Sequence, residues 1–397
     1  MKGAGTLALL GFLAALSGIG LVLTRHSESP PGGSGSGRSP HELYIEEAIG
    51  LRFKTPAVIQ AVSQDFLIAE VEANLDGQFG PGGLARRTRA FELIGLLPTA
   101  RSLRREMLAL ETGGVRGWFD DRTGNIFVPE DFDPDDLHDR VELHDLLTRL
   151  LLHQHAPPSI GRLPDDEWIA RRGLFAAIAE SVKARTRSEN RETFDLPTTL
   201  QTERSALILG LPLYLLHLAE LPLEQGLARV FLEARVQTGA RVLGDLVQEP
   251  PRTTFELFGG DSSVLATPRL PPLSQVQLEE SVGALMVQVL LEWLDSYEQA
   301  RALALLWRGD HYRLYADESG DNVIWICNWA TPQAAQRAGE ILEPAPNSSD
   351  APAAGRRFRS LIVEGASTIY ANCASAESLG ALIRSLEIPG SPVAPTP

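Results

Sequence analysis

The chain has 397 residues, 44% of them hydrophobic and 22% charged, enough for one large domain or two ordinary ones with a core that needs no metal or disulfide to hold it. A formal charge of −15 argues against nucleic acid as a partner, because phosphate recognition draws on clustered Lys and Arg that are not in excess here. Two cysteines, Cys327 and Cys373, fit no Cys-x-x-Cys spacing and allow at most one structural bridge.

Lys2 precedes an uncharged run of eighteen residues, Thr6 to Leu23, closed by Thr24-Arg25-His26. Such a run just spans a bilayer core, so residues 1–26 are expected to be a transmembrane anchor, with the bulk of the chain outside the cytoplasmic membrane, periplasmic or extracellular. The alternative is a cleaved signal peptide. Its small-residue cut at Ala15-Leu16-Ser17 would fall in the middle of the run, and no Cys follows to accept lipid. Residues 27–40, SESPPGGSGSGRSP, read as a flexible Gly/Ser/Pro linker.

Residues 41–294 form the predicted main body. Helices fill its first part, with a short strand near 51–62 and a turn cluster at Asp76 to Gly83. Gly117 to Val128 predicts a hairpin turning at Thr123-Gly124-Asn125. A long amphipathic helix follows from about Pro134 to His155, stopped by Pro157-Pro158, and a second runs from Asp165 to about Arg187, acidic at its start and basic at its end. Further helices are expected near 200–219, 223–237 and 239–247, then a Pro-rich connection at 249–272 and a last core helix at 275–294. Residues 295–390 read as a C-terminal α+β portion of two strand-strand-helix units, and 391–397 as a tail.

The helix carrying Glu142-Leu143-His144-Asp145-Leu146-Leu147-Thr148-Arg149 and closing on Gln154-His155 resembles the active-site helix of a bacterial zinc metallopeptidase-like family of HExxH, gluzincin type, whose motif runs His-Glu-Leu-Thr-His-Ala-Leu-Gln-Asp-Gln-His. Aligned on Leu147-Thr148 and Gln154-His155, Asp145 stands at the first ligand histidine, Leu146 at the catalytic glutamate and Arg149 at the second ligand histidine. The resemblance continues in order along the chain. Gly117-Trp118-Phe119-Asp120 is similar to the family's hairpin, and Ala177-Ile178-Ala179-Glu180-Ser181 to the segment whose glutamate is the third ligand, which retains Glu180. Pro250 to Leu257 and Trp307 to Tyr315 resemble later family stretches. The resemblance implies an α+β fold: a predominantly helical metallopeptidase-like body, an antiparallel C-terminal portion and one N-terminal transmembrane helix.

In an HExxH helix, two histidines four residues apart share a face and bind zinc, while the glutamate takes the proton of metal-bound water. Here the guanidinium of Arg149 has no lone pair for a metal and repels a cation, and Leu146 takes no proton. A carboxylate-guanidinium-carboxylate cluster of Asp145, Arg149 and Glu180 is therefore expected in the metal's place, in which removing Arg149 costs about 3–5 kcal/mol. The competing expectation is a solvated i,i+4 pair worth under about 0.5 kcal/mol.

His144, His153 and His155 offer no rescue, since His144 and His155 stand about 16 Å apart along the helix and His153 points away from His155; capping or surface roles are expected for them. No Gly-x-Ser-x-Gly elbow, phosphate loop or Cys-His pair is present. The sequence thus predicts no catalytic residue, no metal and no cofactor. The expected function is binding or scaffolding, with a polypeptide partner in a vestigial cleft. The alternative is an active zinc metallopeptidase with a non-standard metal site.

Overall fold

The computed structural model describes residues 37–113, 116–157, 162–190, 210–237, 242–343 and 357–386. The chain divides after Gly37, and every helix and strand among the described residues belongs to the unit that begins at Arg38. Its first helix, α1 (Pro40–Ile49), starts inside the predicted linker. Ser39 Oγ accepts from the Glu42 amide while the Glu42 carboxylate accepts from the Ser39 amide, a reciprocal cap that satisfies two helix-end donors. Strand β1 (Ile59–Val62) and helices α2 (Gln64–Phe79), α3 (Gly83–Ile94) and α4 (Leu103–Thr112) lead to the hairpin β2 (Trp118–Asp120) and β3 (Asn125–Pro129).

Two long helices follow. α5 (Leu137–His155) is capped by Asp136, whose carboxylate accepts from the amides of His138 and Asp139. α6 (Asp165–Glu189) has three acidic residues in its first turn and Arg187 in its last, both favourable to the helix dipole. Shorter helices α7 (Leu213–Glu220), α8 (Leu227–Gln237), α9 (Val242–Gln248) and α10 (Thr254–Leu257) precede strand β4 (Val276–Glu280) and helices α11 (Gly283–Leu294) and α12 (Tyr297–Ala304). Two strand-strand-helix units close the chain: β5 (Trp307–Asp317), β6 (Gly320–Trp329) and α13 (Pro332–Leu342), then β7 (Phe358–Glu364), β8 (Ser367–Cys373) and α14 (Ala376–Ser385).

The expected fold is corrected in two respects. The chain is not a helical body followed by a separate antiparallel portion, because strands lie on both sides of the long helices and β4, before α11, joins the C-terminal sheet. A three-stranded sheet, β1-β3-β2, pairs β1 parallel to β3 before the long helices begin. The five-stranded antiparallel sheet β4-β5-β6-β8-β7 takes its edge strand β4 from residues expected to be helical. Leu278, the one buried residue of β4, sits opposite Leu314 of β5, and that pairing outweighs a helical continuation toward α11. Second, among the described residues no helix is long and apolar enough to cross a membrane. The most apolar, α11, has twelve residues and spans about 18 Å, well short of a bilayer core of about 30 Å. The predicted span from Thr6 to Leu23 lies outside the described residues.

One buried cluster runs through both halves, joining Ile45 of α1, Leu143 and Leu147 of α5, Leu174 of α6, Leu291 of α11, and Tyr312 and Trp325 of the large sheet. Residues on both sides of 294/295 belong to it. Cys327 and Cys373 are buried free thiols on different sheet positions, opposite Thr368 and Phe358 respectively.

The N-terminus of α11 ties sheet to helices. Asp310 of β5 accepts from Ser281 Oγ (2.7 Å), the amides of Val282 (2.8 Å) and Gly283 (3.0 Å), and Trp325 Nε1 (3.0 Å). Asp166 of α6 accepts from the Thr254 amide and hydroxyl, and that hydroxyl oxygen in turn accepts from the Leu285 amide. Gly283 has φ +81°, and a Cβ there would collide with the Asp166 carboxylate, so no other residue fits. Asp310→Ala would strand four donors, three of them buried, and is expected to lower stability by about 3–5 kcal/mol in urea unfolding, whereas a loss under about 1 kcal/mol would remove this junction from the fold's supports.

Candidate functional site on the paired long helices

α5 and α6 pack along each other and carry all four predicted site residues, Asp145, Leu146 and Arg149 on α5 and Glu180 on α6. Asp145 is 7% exposed and accepts from Arg149 Nε at 2.7 Å, one turn away on the same helix. The Arg149 side chain remains 29% exposed. Glu180, from α6, does not pair with Arg149. Its carboxylate accepts from Arg187 Nη1 at 2.9 Å and lies 3.8 Å from the ammonium of Lys183. The three-residue cluster expected from the sequence is thus split, and the cation that joins its halves is a different residue.

That residue is Lys183. It is 4% exposed, and its Nζ donates to Glu142 of α5 at 2.9 Å while facing Glu180 one turn back on α6. Burial alone would lower its pKa, but Asp145, Glu142 and Glu180 together outweigh that and hold it above the ordinary lysine value. Arg149 behaves likewise: burial opposes its charge, and Asp145, Glu111 and Glu142 restore it. The heart of the site therefore carries a permanent ammonium facing Glu142, Asp145 and Glu180. The spacings Glu142-x-x-Asp145 and Glu180-x-x-Lys183, each one turn of helix, were the available signals for it.

Leu146, where the resemblance sets a catalytic glutamate, is 3% exposed and turned to the hairpin. A Cβ on Gly117 would lie 2.6 Å from Leu146 Cδ1 and 3.1 Å from the Phe127 carbonyl oxygen, so the leucine is wedged beneath β2 and β3. It belongs to the core and performs no proton transfer.

The histidines are structural. His144 is 3% exposed, against the expected surface role, because its ring is the stacking partner of Tyr44 at 4.5 Å and 21°. Burial, then the neighbouring His41 and Arg140, push its pKa down to about 3, so it is neutral near pH 7. His153 meets the Phe119 ring edge-on at 5.5 Å, and His155 Nε2 bonds to the Arg52 carbonyl oxygen at 2.7 Å.

These residues do not fit a catalytic zinc ion. The positions that the resemblance gives to the first and second ligands hold a carboxylate and a guanidinium bonded to each other, Glu180 at the third is engaged by two cations of its own helix, and a fixed ammonium faces the carboxylates. Among the described residues no group of three or more His, Cys, Asp or Glu is arranged to hold a metal.

A cavity of ≈ 360 Å³ opens elsewhere, at the start of α6, with Asp166, Glu280, Asp310 and His311 in its wall. Burial pushes the Asp166 carboxyl up to about 7, partly countered by the two Thr254 hydrogen bonds. The charges there are committed to the fold: Asp166 and Asp310 anchor α11, and Glu280 pairs with Arg87 and Arg162.

Lys183→Met should destabilise the chain by about 2–4 kcal/mol, the lower bound set by the partial exposure of Glu142 and Glu180. Arg149→Met, removing a partly exposed i,i+4 partner, should cost about 1 kcal/mol or less. Urea unfolding of the two variants side by side checks the order, and a larger loss for Arg149 would restore it as the central cation.

Comparison with family models, with curated proteins and with solved structures finds no match to this chain, so the resemblance stands on the residues quoted for it.

Proposed function

We propose that this chain is a non-catalytic binding or scaffolding protein whose paired helices keep the layout of a metallopeptidase site without its chemistry. The observation that carries this reading is the buried Lys183 ammonium, 2.9 Å from Glu142 and 3.8 Å from Glu180, beside an Arg149–Asp145 pair. A hydrolase of this type needs a Lewis acid and a base that takes a proton from water. Leu146 supplies no base, and the cations of Lys183 and Arg149 raise the electrostatic cost of admitting a dication.

Binding asks less of the same scaffold. Two helices locked by internal ion pairs give a rigid surface that needs no metal to hold its shape, and a polypeptide is the partner class that the resemblance to peptidases suggests. The reading is tested on the full chain, purified without chelator, by elemental analysis together with a casein-hydrolysis assay. The expected result is zinc well below one equivalent and no chelator-sensitive hydrolysis. One zinc per chain, with activity lost on chelation and regained on adding zinc, would overturn it in favour of the metallopeptidase.

A further inference from the structure

We propose that His41 and His144 form a proton-operated latch that holds α1 against α5 and α6 near neutral pH and releases it in acid. The two imidazoles meet directly, His41 Nδ1 to His144 Nε2 at 3.1 Å, across the contact between α1 and α5. The surrounding hydrogen bonds assign the protons. Thr186 Oγ1 has the Val182 carbonyl oxygen at 3.1 Å and the Tyr44 hydroxyl at 3.3 Å as acceptors for its one proton, and with that proton on either of them it accepts the Nδ1–H of His144 at 2.9 Å. The lone pair left on His144 Nε2 accepts the Nδ1–H of His41. A first proton can enter at His41 Nε2 and leave this bond in place. A second has only His144 Nε2 to go to, where it turns an N–H···N bond into two opposed N–H groups between two cations.

The rest of the contact transmits the change. Tyr44 stacks on the His144 ring, and its hydroxyl donates to Glu189 at 2.9 Å. Arg185 lies over the Tyr44 ring and pairs with Glu47 of α1 at 3.3 Å. Charges on neighbouring elements divide: Arg140 of α5 disfavours protonation of both rings, whereas Asp135, before α5, favours it at His41. Once α1 leaves, both rings reach water and regain the ordinary histidine value of about 6.5. The latched state holds His144 neutral and the released state protonates it. Each pH unit below about 6.5 therefore favours release up to about tenfold for that ring alone, with His41 adding to it.

Amide hydrogen exchange on the full chain between pH 7.0 and 4.5, read as protection factors, tests the latch. Protection of the α1 amides after Pro40 should fall roughly 50-fold or more, while the β5–β6 amides keep theirs. His144→Gln should abolish most of that fall. Should that variant not fold, His41→Gln serves instead, with a shallower pH dependence than the parent chain. Constant protection in α1, loss in step with β5–β6, or a variant that tracks the parent would each overturn the proposal.

Discussion

The long helix pair depends on a positive charge that is largely shut off from water. Lys183 is buried between α5 and α6, and a lone ammonium there would be costly enough to lose its proton or to open the helices. It does neither, because carboxylates reach it from both sides, Glu142 and Asp145 from α5 and Glu180 from its own helix. That requirement fixes the rotation of each helix about its axis. A turn of α5 that moved Glu142 away would also carry Leu146 out from under Gly117, and a matching turn of α6 would part Thr186 from His144. Polar pairing on one side and apolar wedging on the other thus demand the same register.

A second constraint holds the other end of α6. Asp165 binds Arg87 of α3 through both carboxylate oxygens, at 2.6 and 2.8 Å, and the next residue, Asp166, anchors Thr254 and so α11. Consecutive acidic residues at a helix N-terminus suit the dipole, but here they also face different partners and bind one helix to two others. The large sheet joins through Asp310, and Tyr370 and Asn372 of β8 both donate to the Leu93 carbonyl oxygen of α3. The helical half and the large sheet therefore share one core.

Much of this was legible in the residues, for identifiable reasons. The hairpin at Gly117 and the two final strand-strand-helix units carry turn residues between alternating runs, a local signal that tertiary packing had no cause to override. α5 and α6 announce themselves by length, acidic starts and basic ends. What escaped was non-local. Residues 276–280 become a strand because β5 lies beside them, a partner that helical periodicity in 275–294 does not reveal. Ser39-Pro40-His41-Glu42 was hidden by linker composition, although Ser-x-x-Glu is itself a helix start. At the site, the alignment drew attention to the motif positions, and Lys183 lies outside them. Whether Glu180 meets Arg149 is decided by the rotation of α6, whereas Lys183 lies one turn along the same helix and stays beside Glu180 whatever that rotation.

The charges of the site, counted together, balance. Glu142, Asp145 and Glu180 contribute −3, and Arg149, Lys183 and Arg187 contribute +3, so the cluster is neutral at pH 7. A site of two neutral histidines, two glutamates and a zinc ion is neutral as well. The two differ in what enforces that balance. A metal site keeps it only while the ion is bound and leaves a position open for water, which is where its reactivity lies. Here every cation is tethered to the backbone, none offers an open coordination position, and neutrality is built into the folded chain. Such a cluster favours one arrangement of the two helices, since turning either one would part the Lys183–Glu142 pair that joins them.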